Sequence, residues 1–408
     1  MLDRLTNLTR VVALSTVLAL AACEQSRDVV GPTPAGGEIF RSYVSIGNSI
    51  TAGFQSAGIN DSTQKQSYAV LLARTMGTRF AYPALAMPGC PPPIANTQTG
   101  ALVGGATAPP CATRIPASVT EVLNNVAVPG ARALDPTSAT TFASNALTTF
   151  VLGGKTQVQK AVDAQPTFAT VWIGNSDVLS AGLSGILVAN AALGQTGISA
   201  TQAEFQARYD ALISQLTAGA PGIRGVLIAV AQVANLPSMS SGGLIASSLA
   251  IQAGISQAAG TPVTVLPNCT GSTSLVNVPQ LLVAIRGKTH PAVISCAPGA
   301  LPAPVGDIFI LDAAEQTTLA GAINGYNTYI KSKADAIGFA YYDPNPLFAA
   351  KRASGEIPPF PNLASATATF GPLISLDGVH PSAAAHTLIA NEIVAVINAK
   401  YGTSLKPV

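Results

Sequence analysis

From residue 43 to residue 400, short apolar runs rich in β-branched residues alternate with helix-length segments, and few folds accommodate that alternation. The runs include "YVSIG" (43–47), "FATVWIG" (168–174), "GVLIAVAQV" (225–233) and "FAYYD" (339–343). They stay apolar on successive residues, as strands covered on both faces do. With "FAYPALAMPG" (80–89) as a strand leaving into a loop, the pattern predicts about five strands in a parallel sheet. Helices would lie on both faces, giving a three-layer α/β/α sandwich. Helices are expected at 67–76, with Ser67 as N-cap, and at 201–218, where Thr201 and Glu204 form a capping-box pattern. That second helix places Phe205, Tyr209, Leu212 and Leu216 on one face. Further helices are expected at 319–338 and 381–400. Residues 234–306, rich in Gly, Ser and Pro, read as an insertion over one end of the sheet within a single domain spanning 40–408.

Residues 1–23 have the character of an export signal. Arg4 and Arg10 accompany the apolar run Val11–Leu20, which is too short to span a bilayer permanently. The segment ends in "LAAC", which resembles a bacterial lipobox, so Cys23 is expected to be acylated. Residues 24–39 are polar, contain Gly and Pro, and read as a flexible tether. The expected product is an exported protein of the bacterial cell envelope, attached to a membrane through a lipid on Cys23 without spanning it.

Only 10% of the residues are charged and the net charge is +2, with no basic stripe of the kind that binds nucleic acid. Past Cys23 the cysteines are Cys90, Cys111, Cys269 and Cys296, an even number in an exported chain, which suggests two disulfides. Of the three possible pairings, the sequence-local one, Cys90–Cys111 and Cys269–Cys296, is expected, because Pro/Gly-rich sequence brackets a loop at each pair. The chain has no C-x-x-C and only three histidines, His290, His380 and His386, so neither a metal site nor a cofactor is expected.

The tetrapeptide Ile-Gly-Asn-Ser occurs twice, at 46–49 and 173–176, each time at the end of an expected strand. Either Ser49 or Ser176 could be a nucleophile or an ordinary loop residue. A hydroxyl nucleophile needs a base, and the base needs a partner that fixes its tautomer. "LDGVHPS" carries Asp377 and His380 three residues apart, and one tight turn can present both. His386, inside the next helix, reads as a packed or exposed histidine, and His290 has no assigned role. No G-x-S-x-G elbow occurs.

Taken in order, these blocks make the sequence resemble the SGNH hydrolase superfamily, also called GDSL-type esterases and lipases, over roughly residues 40–400. Gly47-Asn48-Ser49-Ile50 stands where the family has Gly-Asp-Ser-hydrophobic. Gly89 in "AMPGC" matches its second block, Gly174-Asn175-Ser176-Asp177 its Gly-x-Asn-Asp, and Asp377 with His380 its Asp-x-x-His. The resemblance implies a flavodoxin-like sandwich in which Ser49 is the nucleophile, His380 the base and Asp377 its orienter. It also implies an oxyanion hole built from the N–H groups of Ser49 and Gly89 and a side-chain donor from the third block. Here the chain departs from the family: Ser176 holds the place of the donor asparagine, with Asn175 one position earlier. The implied activity is hydrolysis of a carboxylic ester, whether of a lipid, a short-chain acid or an acetylated glycan, through an acyl-enzyme. The alternative is a weakly active or non-catalytic envelope lipoprotein that binds lipid or glycan on the same fold.

Overall fold

A computed structural model of the chain describes residues 37–105, 115, 122–138, 146–191, 195–297, 299–301 and 308–408. The signal segment with Cys23, most of the tether, and Cys111 lie outside the described residues. In chain order the core elements are β1 (Tyr43–Gly47), α1 (Tyr68–Met76), α2 (Gln157–Asp163), β2 (Phe168–Trp172), α3 (Gln202–Gly219), β3 (Arg224–Ile228), α4 (Ala313–Ile337), β4 (Ala340–Tyr342) and α5 (Ala383–Tyr401). The four strands pair in the order β1-β2-β3-β4, all parallel, with Gly47 opposite Trp172 and Leu227 opposite both Val171 and Tyr341.

Side-chain alternation along the strands divides the interior into two cores. Val44, Ile46, Ala169, Val171 and Leu227 face one core, closed by α2, α3 and α4. Tyr43, Phe168, Trp172, Val226 and Ile228 face the other, closed by α1 and α5. Because both faces are covered, the strands could be apolar throughout. On the α1/α5 side a polar cluster satisfies itself: Tyr43, Ser45 and Thr170 bond one another through hydroxyls 2.6–2.9 Å apart.

The expected helix starts are present. Ser67 Oγ accepts from Val70 N–H, and Thr201 and Glu204 form a reciprocal capping box ahead of buried Phe205, Tyr209, Leu212 and Leu216. The strand expected at 80–89 is not formed, so the sheet has four strands instead of about five. The edge beside β1 is taken by residues 124–128, which hydrogen-bond to Ser45 and Gly47 and pair by a single parallel bridge, Ser45 with Asn125. Segment 80–89 runs outside that edge, held where Ala81 bonds to Asn124. Pro83 and Pro88 lack the N–H that a ladder needs. The run at 225–233 is also shorter as a strand than its composition suggests, since three asparagines tie its exit. Asn327 Oδ1 accepts from Val230 N–H, Asn175 Oδ1 from Ala231 N–H, and Asn345 Oδ1 from Gln232 N–H.

The insertion has its own small core, built from Ile245, Ile255, Val276, Leu281, Leu282, Ile285 and Ile294 around the Cys269–Cys296 disulfide. Strands Met239–Ser241, Leu275–Asn277 and Ile310–Leu311 form an antiparallel sheet, and Thr264–Val265 pairs with Val293–Ile294. The expected pairing of Cys269 with Cys296 is therefore present. Cys90 is disulfide-bonded as well; the expected partner, Cys111, lies outside the described residues. Arg352 ties the root of the insertion to the body by donating to the carbonyls of Asn235, Leu236 and Met239 at 3.1–3.3 Å.

Candidate active site

β1 ends at Gly47, where any Cβ would sit 2.3 Å from Thr51 Oγ1. Asn48 follows as the cap of a short helix, Ser49–Ala52, its Oδ1 accepting from Ile50 N–H at 3.2 Å. Ser49 is thus the first helical residue, and a first-turn N–H has no carbonyl partner within its own helix. The tight strand-to-helix passage leaves the Ser49 hydroxyl at the carboxyl end of the sheet.

Asp377 and His380 share one turn. Asp377 Oδ1 accepts the N–H groups of Val379 and His380 at 2.9 and 2.8 Å, and Ser375 N–H closes the turn on His380 O at 2.8 Å. His380 Nδ1 lies 2.8 Å from Asp377 Oδ2, and His380 Nε2 lies 2.9 Å from Ser49 Oγ. A carboxylate only accepts, which assigns the proton to Nδ1 and leaves the Nε2 lone pair facing the serine hydroxyl. Burial by itself would raise the Asp377 pKa, but the imidazole and the main-chain donors outweigh it and hold the carboxyl at about 2. The Phe54 ring covers one side of the imidazole, with centroids 4.9 Å apart.

A second support for Asp377 has no sequence signature. Residues 55–58 form a tight turn, closed by paired bonds between Gln55 and Gly58, with Ser56 and Ala57 both left-handed at φ 55° and 57°. Non-glycine residues in that conformation cost about 1–2 kcal/mol each. The turn is held against the aspartate loop by three hydrogen bonds, and a fourth within that loop braces them. Ala57 N–H donates to Asp377 Oδ2 at 2.7 Å, and Ser56 N–H donates to Ser375 Oγ at 2.8 Å. Ser375 Oγ donates to Asp377 Oδ1 at 3.1 Å, and Leu376 N–H donates to Ser56 Oγ at 3.1 Å. Turns of this kind normally advertise themselves with Asn-Gly or Gly-Gly. "QSAG" does not, and its partners lie about 320 positions away.

Gly89 is buried and left-handed at φ 127°, and a Cβ there would come within 2.5 Å of Ile59 O, so only glycine fits. The second Ile-Gly-Asn-Ser differs in structure from the first. Gly174 is left-handed at φ 112° and opens the helix Asn175–Ser184. Asn175 points its carbonyl at Ala231 N–H, 2.9 Å away, and its amide nitrogen is buried without a partner. Its carbonyl is therefore committed to the exit of β3, although the residue as a whole is only half-buried. Ser176 is half-buried, and no hydrogen bond engages its hydroxyl among the described residues. Asp177 is fully buried and accepts from Ser199 Oγ at 2.5 Å and Ala133 N–H at 2.8 Å. Burial pushes its carboxyl up to about 6.

The two remaining histidines lie apart from this arrangement. His386 is fully buried in α5 with Nδ1 accepting from Tyr68 N–H at 3.2 Å, and burial lowers its pKa to about 3. His290 belongs to the insertion. Among the described residues no three His, Cys, Asp or Glu side chains come together as a metal-ligand set. The chemistry available is nucleophilic: a serine hydroxyl whose proton can pass to an imidazole, which a buried carboxylate holds in the required tautomer.

The model of the family described as GDSL-like Lipase/Acylhydrolase matches residues 43–393. Among the solved structures similar to this chain at low identity are two of different kinds. One is an active-site mutant of a family two carbohydrate esterase from Clostridium thermocellum, at 12% identity and TM-score 0.37, covering 91% of this chain and 66% of that one. The other is an extracellular lipase from Streptomyces rimosus, at 14% identity and TM-score 0.37, covering 88% of this chain and 99% of that one. No curated protein sequence matches.

Proposed function

The chain belongs to the GDSL-like lipase/acylhydrolase family, and from that membership we propose that it is a serine esterase working through an acyl-enzyme. Ser49 Oγ attacks the ester carbonyl while His380 Nε2 takes its proton, and the protonated imidazole then delivers that proton to the departing alcohol. Water, activated by the same imidazole, releases the acid and restores Ser49. Asp377 stays ionised throughout and stabilises the imidazolium. The N–H groups of Ser49 and Gly89 and the hydroxyl of Ser176 stabilise the oxyanion. Asn175 is the anchor of that loop, its carbonyl already engaged by Ala231.

The observation that carries this reading is the continuous Ser49–His380–Asp377 contact, 2.9 and 2.8 Å long, between residues 331 positions apart. Purified protein should hydrolyse p-nitrophenyl esters and Ser49→Ala should not; equal rates would end the proposal. A fluorophosphonate probe should label Ser49, and labelling at Ser176 instead would reverse the assignment. Lipid acyl, short-chain and acetylated-glycan esters all suit the chemistry, and a screen across the three classes would identify the substrate. One observation favours a second reading, a weakly active envelope protein: serine is shorter than the asparagine it replaces, and a lost oxyanion donor costs on the order of 100- to 1,000-fold. We also propose that the protein is exported and anchored through acylated Cys23. Cys23→Ala should then release it from membranes, and continued retention would count against the anchor.

A further inference from the structure

The insertion carries an unusual distribution of charge. Residues 234–306 contain no Asp or Glu, and their only basic or imidazole side chains, Arg286, Lys288 and His290, fall within five residues. Those five close the helix Val278–Arg286, and main-chain groups already satisfy the end of that helix. Gly287 N–H donates to Val283 O, Lys288 N–H to Ile285 O, and the N–H groups of Thr289 and His290 to Ala284 O, at 2.9–3.2 Å. Arg286 and Lys288 sit at the negative end of that helix and are exposed without an ion-pair partner among the described residues.

The backbone carries a second signal. Glycine normally occupies the left-handed position that ends a helix, yet Gly287 is right-handed at φ −75° and Lys288 takes the left-handed place at φ 58°. A lysine held in that conformation is an outlier of the kind that accompanies function. It lies on the rim of a shallow, solvent-open cleft of about 360 Å³, lined by Lys288, His290, Thr261 and Thr289 together with Ile285 and Pro291. His290 is buried, and its Nδ1 lies 2.7 Å from Pro291 O. A carbonyl only accepts, so Nδ1 carries a proton and donates to it. The Thr289 hydroxyl donates to Ala284 O and has acceptor capacity left. An occupant matched to this lining brings negative charge for Lys288 and hydroxyl groups, which can donate or accept, for His290 and Thr289.

We propose that this cleft is a binding site for a hydroxylated anion, a carboxylate or phosphate borne on a sugar-like polyol. The site is separate from Ser49, and its occupancy does not depend on ester hydrolysis. Titration calorimetry on the full-length Ser49→Ala protein tests it with glucuronate, glucose 6-phosphate and uncharged glucose. The two anionic sugars should bind with Kd on the order of 1 mM, and glucose should not. Lys288→Gly should weaken binding roughly tenfold or more while raising the thermal midpoint, because glycine relieves the left-handed strain. Lys288→Asn, which tolerates that backbone without the charge, should lose binding with the fold intact. The proposal is overturned if neither anion binds at about 10 mM, if glucose binds equally, or if binding survives both substitutions. A lower midpoint in Lys288→Gly would refute the strain argument on which the choice of Lys288 rests.

Discussion

Replacing Asp177 with asparagine should stabilise the protein at neutral pH and uncover a pH dependence that the native chain conceals. Asp177 has no exposed surface, and burial lifts its carboxyl from 3.8 to about 6 against the hydrogen bonds from Ser199 and Ala133. Between those values the unfolded chain has released the proton and the folded chain retains it, so stability falls as pH rises through the window. At about 1.4 kcal/mol per unit, the full cost above pH 6 is about 3 kcal/mol. His386 has the opposite sign. Burial, with a smaller contribution from His380, lowers it from 6.5 to about 3. The unfolded chain therefore binds a proton that the folded chain refuses, and stability falls as pH drops from 6.5 towards 3, by on the order of 4–5 kcal/mol in all. Where the windows overlap, roughly pH 4 to 6, the two slopes cancel and the native protein should be nearly pH-insensitive. In the variant, asparagine can still accept from Ala133 N–H and can donate to Ser199 Oγ, so the slope of Asp177 goes while its contacts stay. Asp177→Asn should match the native protein at pH 4, gain about 1.4 kcal/mol per unit up to pH 6, and exceed it by about 3 kcal/mol at pH 7. Denaturant titrations at pH 4, 5, 6 and 7, with m-values held equal, measure this. A variant no more stable than the native chain at pH 7, or one with a flat profile, refutes the assignment of opposed buried groups.

Three further expectations follow from the site and the insertion. Ser375→Ala removes one donor to Asp377 and the acceptor for Ser56 N–H; kcat on a p-nitrophenyl ester should fall roughly tenfold with KM little changed, and an unaltered kcat would make the 55–58 turn structural only. Ser176→Asn should leave kcat unchanged or lower it, because the serine hydroxyl already serves as the third oxyanion donor, and a rise on the order of 10- to 100-fold would mean that this donor is what the loop lacks. Replacing Cys269 and Cys296 together by serine opens a bridge across 27 positions, which the loop-entropy treatment values at about 3.5 kcal/mol; limited proteolysis should then cut first within 239–296, and an unchanged cleavage pattern would show that the apolar core of the insertion suffices without the bridge.

Local chemistry made much of this protein readable from its sequence. The Ser67 and Thr201 caps and the buried face of Phe205, Tyr209, Leu212 and Leu216 depend on neighbours within a few residues, and helical periodicity records such neighbours directly. The parallel sandwich follows from strands that are apolar on both faces, and Asp377 and His380 lie close enough in sequence to share a turn. The tertiary structure decided what depends on distant partners. Residues 124–128, not 80–89, hold the edge beside β1, because a ladder needs N–H groups that Pro83 and Pro88 lack. The left-handed Ser56 and Ala57 persist only because residues about 320 positions away accept and donate at the right places. The two Ile-Gly-Asn-Ser segments, identical as letters, were separated in the same way. In the first, the asparagine caps its own helix and the serine meets His380; in the second, the asparagine is drawn to Ala231 and the serine hydroxyl meets no hydrogen-bond partner among the described residues. The tetrapeptide dictates a glycine turn, a capping residue and a hydroxyl at the end of a strand, whereas the role of each serine depends on what the rest of the chain brings within 3 Å of it.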